Sequence, residues 1–318
     1  SFDRKAMLAN WADNIIVPSF ENFASSTQDL QDKTSSFTTN PSVENLVQLR
    51  SAYKKAYLDF QTVSMFEIGK AEELNYRNFL NTYPADVNTI INDIESGSYN
   101  LSLPSAYNKQ GFPALDFLIN GLATSDQEIV SLYSSEEYKS YLLDVSNRIN
   151  NLTIEVNASW QGTFRDNFVN NTSSSSTGSV DKFTNDYVLH FEKFLRSGKI
   201  GFPAGVFTGE PSPSNVEAFY SQDLSRDLYI KSVKSVQDFF NGKYYGSNQT
   251  GPSYKQYLDY LDTMKDGQTL STLINNQFET ILSQATGLDQ SLKSQVQDNN
   301  TEMLQAFDEL QKEVILLK

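Results

Sequence analysis

Residues 136–164 read EEYKSYLLDVSNRINNLTIEVNASWQGTF, and the apolar positions within them decide the fold class. Leu142, Val145, Ile149, Leu152 and Val156 step by three and four residues, and Trp160 and Phe164 each extend the row by one step. An α-helix turns once in about 3.6 residues, so such a row lies on one face and marks a buried stripe. The stepping recurs at Leu304, Phe307, Leu310, Val314 and Leu317. It recurs again at Leu8, Trp11 and Ile15, and continues beyond Pro18 as Phe20, Phe23, Leu30 and Phe37. Pro18 lacks a backbone donor, so a kink is expected there. Asn40-Pro41-Ser42 reads as a break followed by an N-cap for a helix from Val43 to about Gly69. Further helices are expected over about 85–95, 180–197, 214–241, 253–264, 268–285 and 288–317. No stretch alternates polar and β-branched apolar residues over a strand's length, so no sheet is expected. The class is all-α, with the stripes as bundle core. Their opposite faces are acidic rather than rich in Lys and Arg, which argues against helices lying on a membrane surface.

Composition removes much of the enzyme repertoire. The 318 residues contain no cysteine, which excludes disulfides, zinc–cysteine sites, iron–sulfur clusters and a cysteine nucleophile. A single histidine, His190, excludes sites built on two imidazoles. With 39 acidic and 25 basic residues, the formal charge of −14 repels phosphate backbones and suits cationic ligands or metal ions. No apolar run approaches the roughly 20 residues needed to cross a bilayer. The start at Ser1 without methionine reads as a mature or trimmed chain, with any export signal removed from view. The missing cysteines and the Asn-, Ser- and Thr-rich composition suit an extracytoplasmic protein.

Two further features organise the chain. Residues 170–179, NNTSSSSTGS, are a low-complexity polar run, expected as a mobile surface loop near a domain boundary at about 160–180. With roughly 100–200 residues per domain, the chain divides into an amino-terminal bundle, 1–165, and a carboxy-terminal bundle, 166–318. Lys109-Gln110-Gly111-Phe112-Pro113-Ala114 returns as Lys199-Ile200-Gly201-Phe202-Pro203-Ala204, alike at all but one position. The echo reads as two similar helix-entry turns in a duplicated bundle, or as two loops facing each other between pseudo-equivalent halves.

Gly111-Phe112-Pro113-Ala114-Leu115-Asp116-Phe117-Leu118-Ile119-Asn120-Gly121 resembles the signature segment of the imelysin-like family, Gly-x-His-x-x-Glu followed by an apolar helix and a glycine. The opening Asn10 to Phe20 is similar to that family's first helix with its proline. Lys199 to Val206 resembles the second-half motif, and Glu217 to Ser221 with Asp223 to Asp227 resembles its serine- and aspartate-containing stretch. The resemblance covers essentially the whole chain. It implies two helical bundles related by a pseudo-twofold, and bacterial extracytoplasmic proteins, often lipid-anchored, linked to iron acquisition. Some members are described as peptidases, and relatives as binding metal or acidic polysaccharide.

The departures are chemical. Pro113 stands where the family has histidine, and Asp116 where it has glutamate. A proline side chain offers neither donor nor lone pair, so it is neither metal ligand nor general base. His190 and Glu192, two residues apart on a helix, point to different faces and do not chelate one ion; His190 reads as an ordinary helix residue. The sequence therefore points to a non-catalytic binding component linked to iron uptake, the alternatives being an imelysin peptidase or a glycan- or surface-binding module. The expected site comprises the turns at Gly111, Pro113, Gly201 and Pro203, with Asp116, Glu210, Ser221, Asp223, Arg226 and Asp227. Oxygen ligands of this kind favour iron(III) or calcium over zinc. A monomer is expected, periplasmic or a cell-surface lipoprotein of the outer membrane. Its partners would be a small ligand or metal ion and other uptake proteins, with no nucleic acid and no membrane contact beyond the lipid anchor.

Overall fold

Helical turns run without interruption from Arg4 to Thr39 in the computed structural model, which describes residues 1–318. The α-helix Arg4–Asn10 passes through a π-helical stretch, Trp11–Ile16, into the α-helix Val17–Thr39. The step from Ile15 to Phe20 is one residue too long for an α-helical row. The wider π turns before it absorb the surplus, and both side chains remain buried. Pro18 has no N–H for the carbonyl of Asn14, four residues back, and that carbonyl instead accepts from the Tyr245 N–H at 2.8 Å. The sequence break thus becomes a tether between the first helix and the far half of the chain. Trp11 strengthens it, with its ring centroid 5.3 Å from Phe183, 5.0 Å from Phe239 and 4.8 Å from Tyr254.

Helix Val17–Thr39 packs along Glu136–Gln161 and Val43–Phe60. Leu142, Val145, Ile149, Leu152, Val156 and Trp160 are buried as their spacing predicts, and Phe164 is half-buried. Ser42 caps Val43–Phe60 by accepting from the Asn45 N–H, an arrangement that stabilises a helix by about 1 kcal/mol. In the second half, Ser225–Phe240, Leu270–Thr286, Asn300–Leu317 and a π-helical run, His190–Gly201, pack together. The buried apolar side chains of both halves form one connected cluster. Residues 170–177 are exposed, crossed by hydrogen bonds such as Asn171 Nδ2 to the Thr177 carbonyl, while Gly178 and Ser179 are buried at the start of the next helix.

Several expected boundaries move. The helix from Val43 ends at Phe60 rather than near Gly69: the N–H groups of Gln61 to Ser64 still bond back in tightened turns, and beyond them the chain bonds to other elements. The Ser64 carbonyl accepts from Arg77, and the Glu67 N–H donates to Asp186. No helix covers 216–224; Ala218 adopts a φ of 57°, and the Tyr220 N–H leaves the chain direction to reach Asp116. A two-stranded hairpin, Met264–Lys265 with Gln268–Thr269, turns through Asp266 and Gly267 at positive φ and is the sole sheet. On Asn300–Leu317 the buried row is Met303, Ala306, Leu310, Glu313 and Val314, while Leu304 is 41% exposed.

Glu313 therefore points inward, and neither carboxylate oxygen finds a partner. Burial pushes its carboxyl up from an ordinary 4.5 to about 9. Between those values the folded chain keeps a proton that the unfolded chain has released, so stability falls as pH rises, by at most about 1.4 kcal/mol per pH unit. Glu313→Gln removes that proton linkage. Urea unfolding at pH 5 and pH 8 should show the variant gaining on the parent at the higher pH; a gap independent of pH would mean an ionised, hydrated Glu313.

Candidate functional site

The two Gly-Phe-Pro-Ala segments take different shapes. Gly111 opens a helix with φ of 72°, where a Cβ would stand 2.3 Å from the Leu80 carbonyl oxygen. Glycine is needed there both for the angle and for the close approach. Phe112 is fully buried and stacks on Tyr57, centroids 4.5 Å apart. Gly201 lies inside regular helical turns with φ of −62°, and Phe202 is 45% exposed, leaning on Phe207. Lys109 and Lys199 each meet a carboxylate: Asp93 at 2.8 Å and Glu217 at 2.5 Å.

A chain of side chains joins the two segments. Tyr57, stacked on Phe112, donates its hydroxyl to Asn81 Oδ1 at 2.5 Å. Asn81 Nδ2 donates to Glu217 Oε2 at 2.7 Å, and the other oxygen of Glu217 takes the Lys199 ammonium. Glu217 is 2% exposed and Lys199 4%. Burial pushes the lysine below its ordinary range, and the Glu217 charge pulls it back.

Asp116 forms a second join. Its Oδ1 accepts from Ser221 Oγ at 2.6 Å and from Asn120 Nδ2 at 3.0 Å; its Oδ2 accepts from the Tyr220 N–H at 2.8 Å. The Tyr53 hydroxyl meets Ser221 Oγ at 3.3 Å. Burial moves the carboxyl upward, and the Ser221, Tyr220 and Asn120 donors hold it back. Of the residues expected to form the site, Asp116 and Ser221 meet in this latch, and Gly111 and Pro113 precede Asp116 on its helix. The others lie apart. Asp223 pairs with Lys54 at the surface, and Arg226 Nη1 donates to the Leu288 carbonyl beyond helix Leu270–Thr286. Glu210 is exposed, Asp227 is half-buried, and Pro203 is buried in the turn after Gly201.

A metal at the motif does not fit this donor set. Pro113 supplies no ligand, both oxygens of Asp116 are filled by protein donors, and no three His, Asp or Glu side chains converge to hold an ion.

Beside the Lys199–Glu217 pair opens a cleft of about 410 Å³. Phe60, Gln61 and Ser64 line it from the end of helix Val43–Phe60 and the turns after it, and Arg77, Asn78 and Asn81 to Pro84 from the short helix Tyr76–Leu80 and the turn after it. His190, Lys193, Phe194, Gly198, Lys199 and Phe202 close it from the second half, with Asn215. His190 is thus no ordinary helix residue. It is 2% exposed, its Nε2 meets Ser64 Oγ at 2.9 Å, and its Nδ1 has no partner. Burial first, then the Arg77 and Lys199 charges, keep the imidazole well below its ordinary range and therefore neutral. Arg77 reaches Asp186 at 3.1 Å and lies 4.0 Å over the Phe194 ring. Sequence reading missed Ser64, Arg77 and Asn81, which no motif marks; an arginine between Tyr76 and the Phe79–Leu80 pair is the one signal that stood in view.

Fold and site together define an all-α protein with a buried lysine–glutamate pair and a polar cleft beside it. The family model for Imelysin (Peptidase_M75) matches residues 16–316, and the chain belongs to the imelysin family. Two solved structures share the fold. A protein described as an iron-regulated protein A precursor from Parabacteroides distasonis ATCC 8503 aligns with a TM-score of 0.78 at 16% identity, over 99% of this chain and 94% of that one. An imelysin-like protein from Psychrobacter arcticum 273-4 aligns with a TM-score of 0.74 at 13% identity, over 99% and 93%. No curated protein matches the sequence.

Asp116→Ala strands the Tyr220 N–H, Ser221 and Asn120 donors, and buried polar groups left unpaired around a removed acceptor cost about 3 kcal/mol. Urea unfolding should show that loss, with faster amide exchange at Tyr220. A loss below about 1 kcal/mol would mean that the latch contributes little.

Proposed function

We propose that the chain is an extracytoplasmic, non-catalytic binding component linked to iron uptake, which takes a small ligand into the cleft between Arg77, His190 and Lys199. The carrying observation is a cleft rich in donors beside a motif carboxylate already closed by protein groups. Family membership and the likeness to an iron-regulated protein A precursor support the link to iron. Iron is cargo in this reading, delivered as part of a ligand; the residues at Asp116, Asp223 and Asp227 are scattered rather than convergent. The protein would act in the periplasm or on the outer-membrane surface, alongside other uptake proteins.

Peptide hydrolysis needs an activated water or a nucleophile with a base. The candidate base, neutral His190, bonds to Ser64, so this pair is the one arrangement that resembles a nucleophile and its base. A triad would need a carboxylate to orient the imidazole, and Nδ1 has none.

Two measurements test the proposal. Deleting the gene should slow growth when iron is limiting and leave growth in iron-replete medium unchanged; equal growth in both would remove the iron link. Pure protein incubated with a denatured polypeptide and added zinc or iron should leave it intact, whereas cleavage abolished by a chelator or by Ser64→Ala would establish an enzyme.

A further inference from the structure

We infer that the cleft takes a small organic acid and holds its carboxylates, either free or as the coat around a metal ion. This rests on the cleft being the binding site proposed above, and it names the chemistry of the ligand. Arg77, Lys193 and Lys199 line the cleft and no Asp or Glu does, in a chain that carries 39 acidic residues against 25 basic. A lining selected only by the overall composition would bring carboxylates with it. The acids that balance Arg77 and Lys199 stand behind the surface, as Asp186 and Glu217.

Those pairings leave donors over. A lysine ammonium has three N–H groups and Lys199 gives one to Glu217; of the five N–H groups of Arg77, one goes to Asp186 and one to the Ser64 carbonyl. Lys193 is exposed, and its nearest acidic neighbour in sequence, Glu192, is engaged by Arg196 and Lys318. Lys193 therefore contributes a positive charge that no carboxylate cancels. Asn78 and Asn215 add amide groups at the wall, and fixed donors of this kind suit planar carboxylate oxygens. The same lining repels a bare cation, and a neutral polyol has no use for three cationic side chains. Elsewhere the −14 charge disfavours anions, so this cleft is where an anion meets a locally reversed field. Its volume of about 410 Å³ falls among small-molecule sites.

Calorimetric titration of the pure protein with citrate at low ionic strength tests the inference. Citrate should bind saturably, weaken as salt is raised, and weaken at least tenfold in Lys193→Glu, an exposed position whose change leaves the fold intact by circular dichroism. Asn215→Asp, which puts a carboxylate into the wall, should weaken it in the same sense. Iron(III) citrate binding as well as citrate would identify the chelate's coat as the recognised part, and binding of citrate alone would identify the free acid. Equal citrate heats in the parent and Lys193→Glu, or tighter binding of glucose or inorganic phosphate than of citrate, would overturn the inference. A growth defect under iron limitation together with no citrate binding would sink the ligand class alone. The absence of that defect would sink the proposed function whatever citrate does.

Discussion

A lysine and a glutamate taken out of water set the terms for the rest of this molecule. Removing two charges from solvent costs several kcal/mol each, and only a close pairing with further hydrogen bonds offsets it. Lys199 and Glu217 meet at 2.5 Å, and Asn81 satisfies the second glutamate oxygen. Asn81 must then be held, which Tyr57 does, and Tyr57 is held by the stacked ring of Phe112. The requirement to leave no buried charge unanswered thereby ties the helix after Gly111 to the helix end before Gly201. Neither half would bury its partner's polar group alone.

The motif position tells a related story. A buried carboxylate at residue 116 can be met by a metal ion or by protein donors, or can take up a proton as Glu313 does. In this chain the backbone at 218–220 leaves helical geometry, Ala218 adopting a left-handed angle, so that Tyr220 and Ser221 supply those donors. The aromatic ring of Tyr220 then covers Gly121, where a Cβ would approach it to 2.5 Å. The arrangement makes residue 116 a latch between the helix after Gly111 and the 217–221 stretch.

The helical class was legible in the sequence because burial on one helix face imposes a local spacing. The row from Leu142 to Trp160 and the N-cap at Ser42 are written in residues only a few positions apart. The end of helix Val43–Phe60 was not legible, since it depends on Arg77 and Asp186 competing for the groups of Ser64 and Glu67. His190 was misjudged for the same reason: its partners lie 126 residues away at Ser64 and on other elements. On Asn300–Leu317 the expected Leu310 and Val314 are buried, but Met303 rather than Leu304 faces inward, and Glu313, an acid, occupies a place that a hydrophobe would normally hold.

By itself, then, the sequence determined an acidic all-α chain, the family it resembles, and the loss of the motif histidine to Pro113, all of which follow from residue type and short-range spacing. Only the tertiary structure decided which polar groups meet. It gave two nearly identical segments different conformations, burying Phe112 at 0% exposure and leaving Phe202 at 45%. It also filled Asp116 with donors and assembled the cleft from residues between Phe60 and Asn215. The physical reason is one of range: a helix is specified by neighbours within a few turns, whereas a buried charge or hydrogen bond is satisfied by whichever group the folded chain brings within about 3 Å.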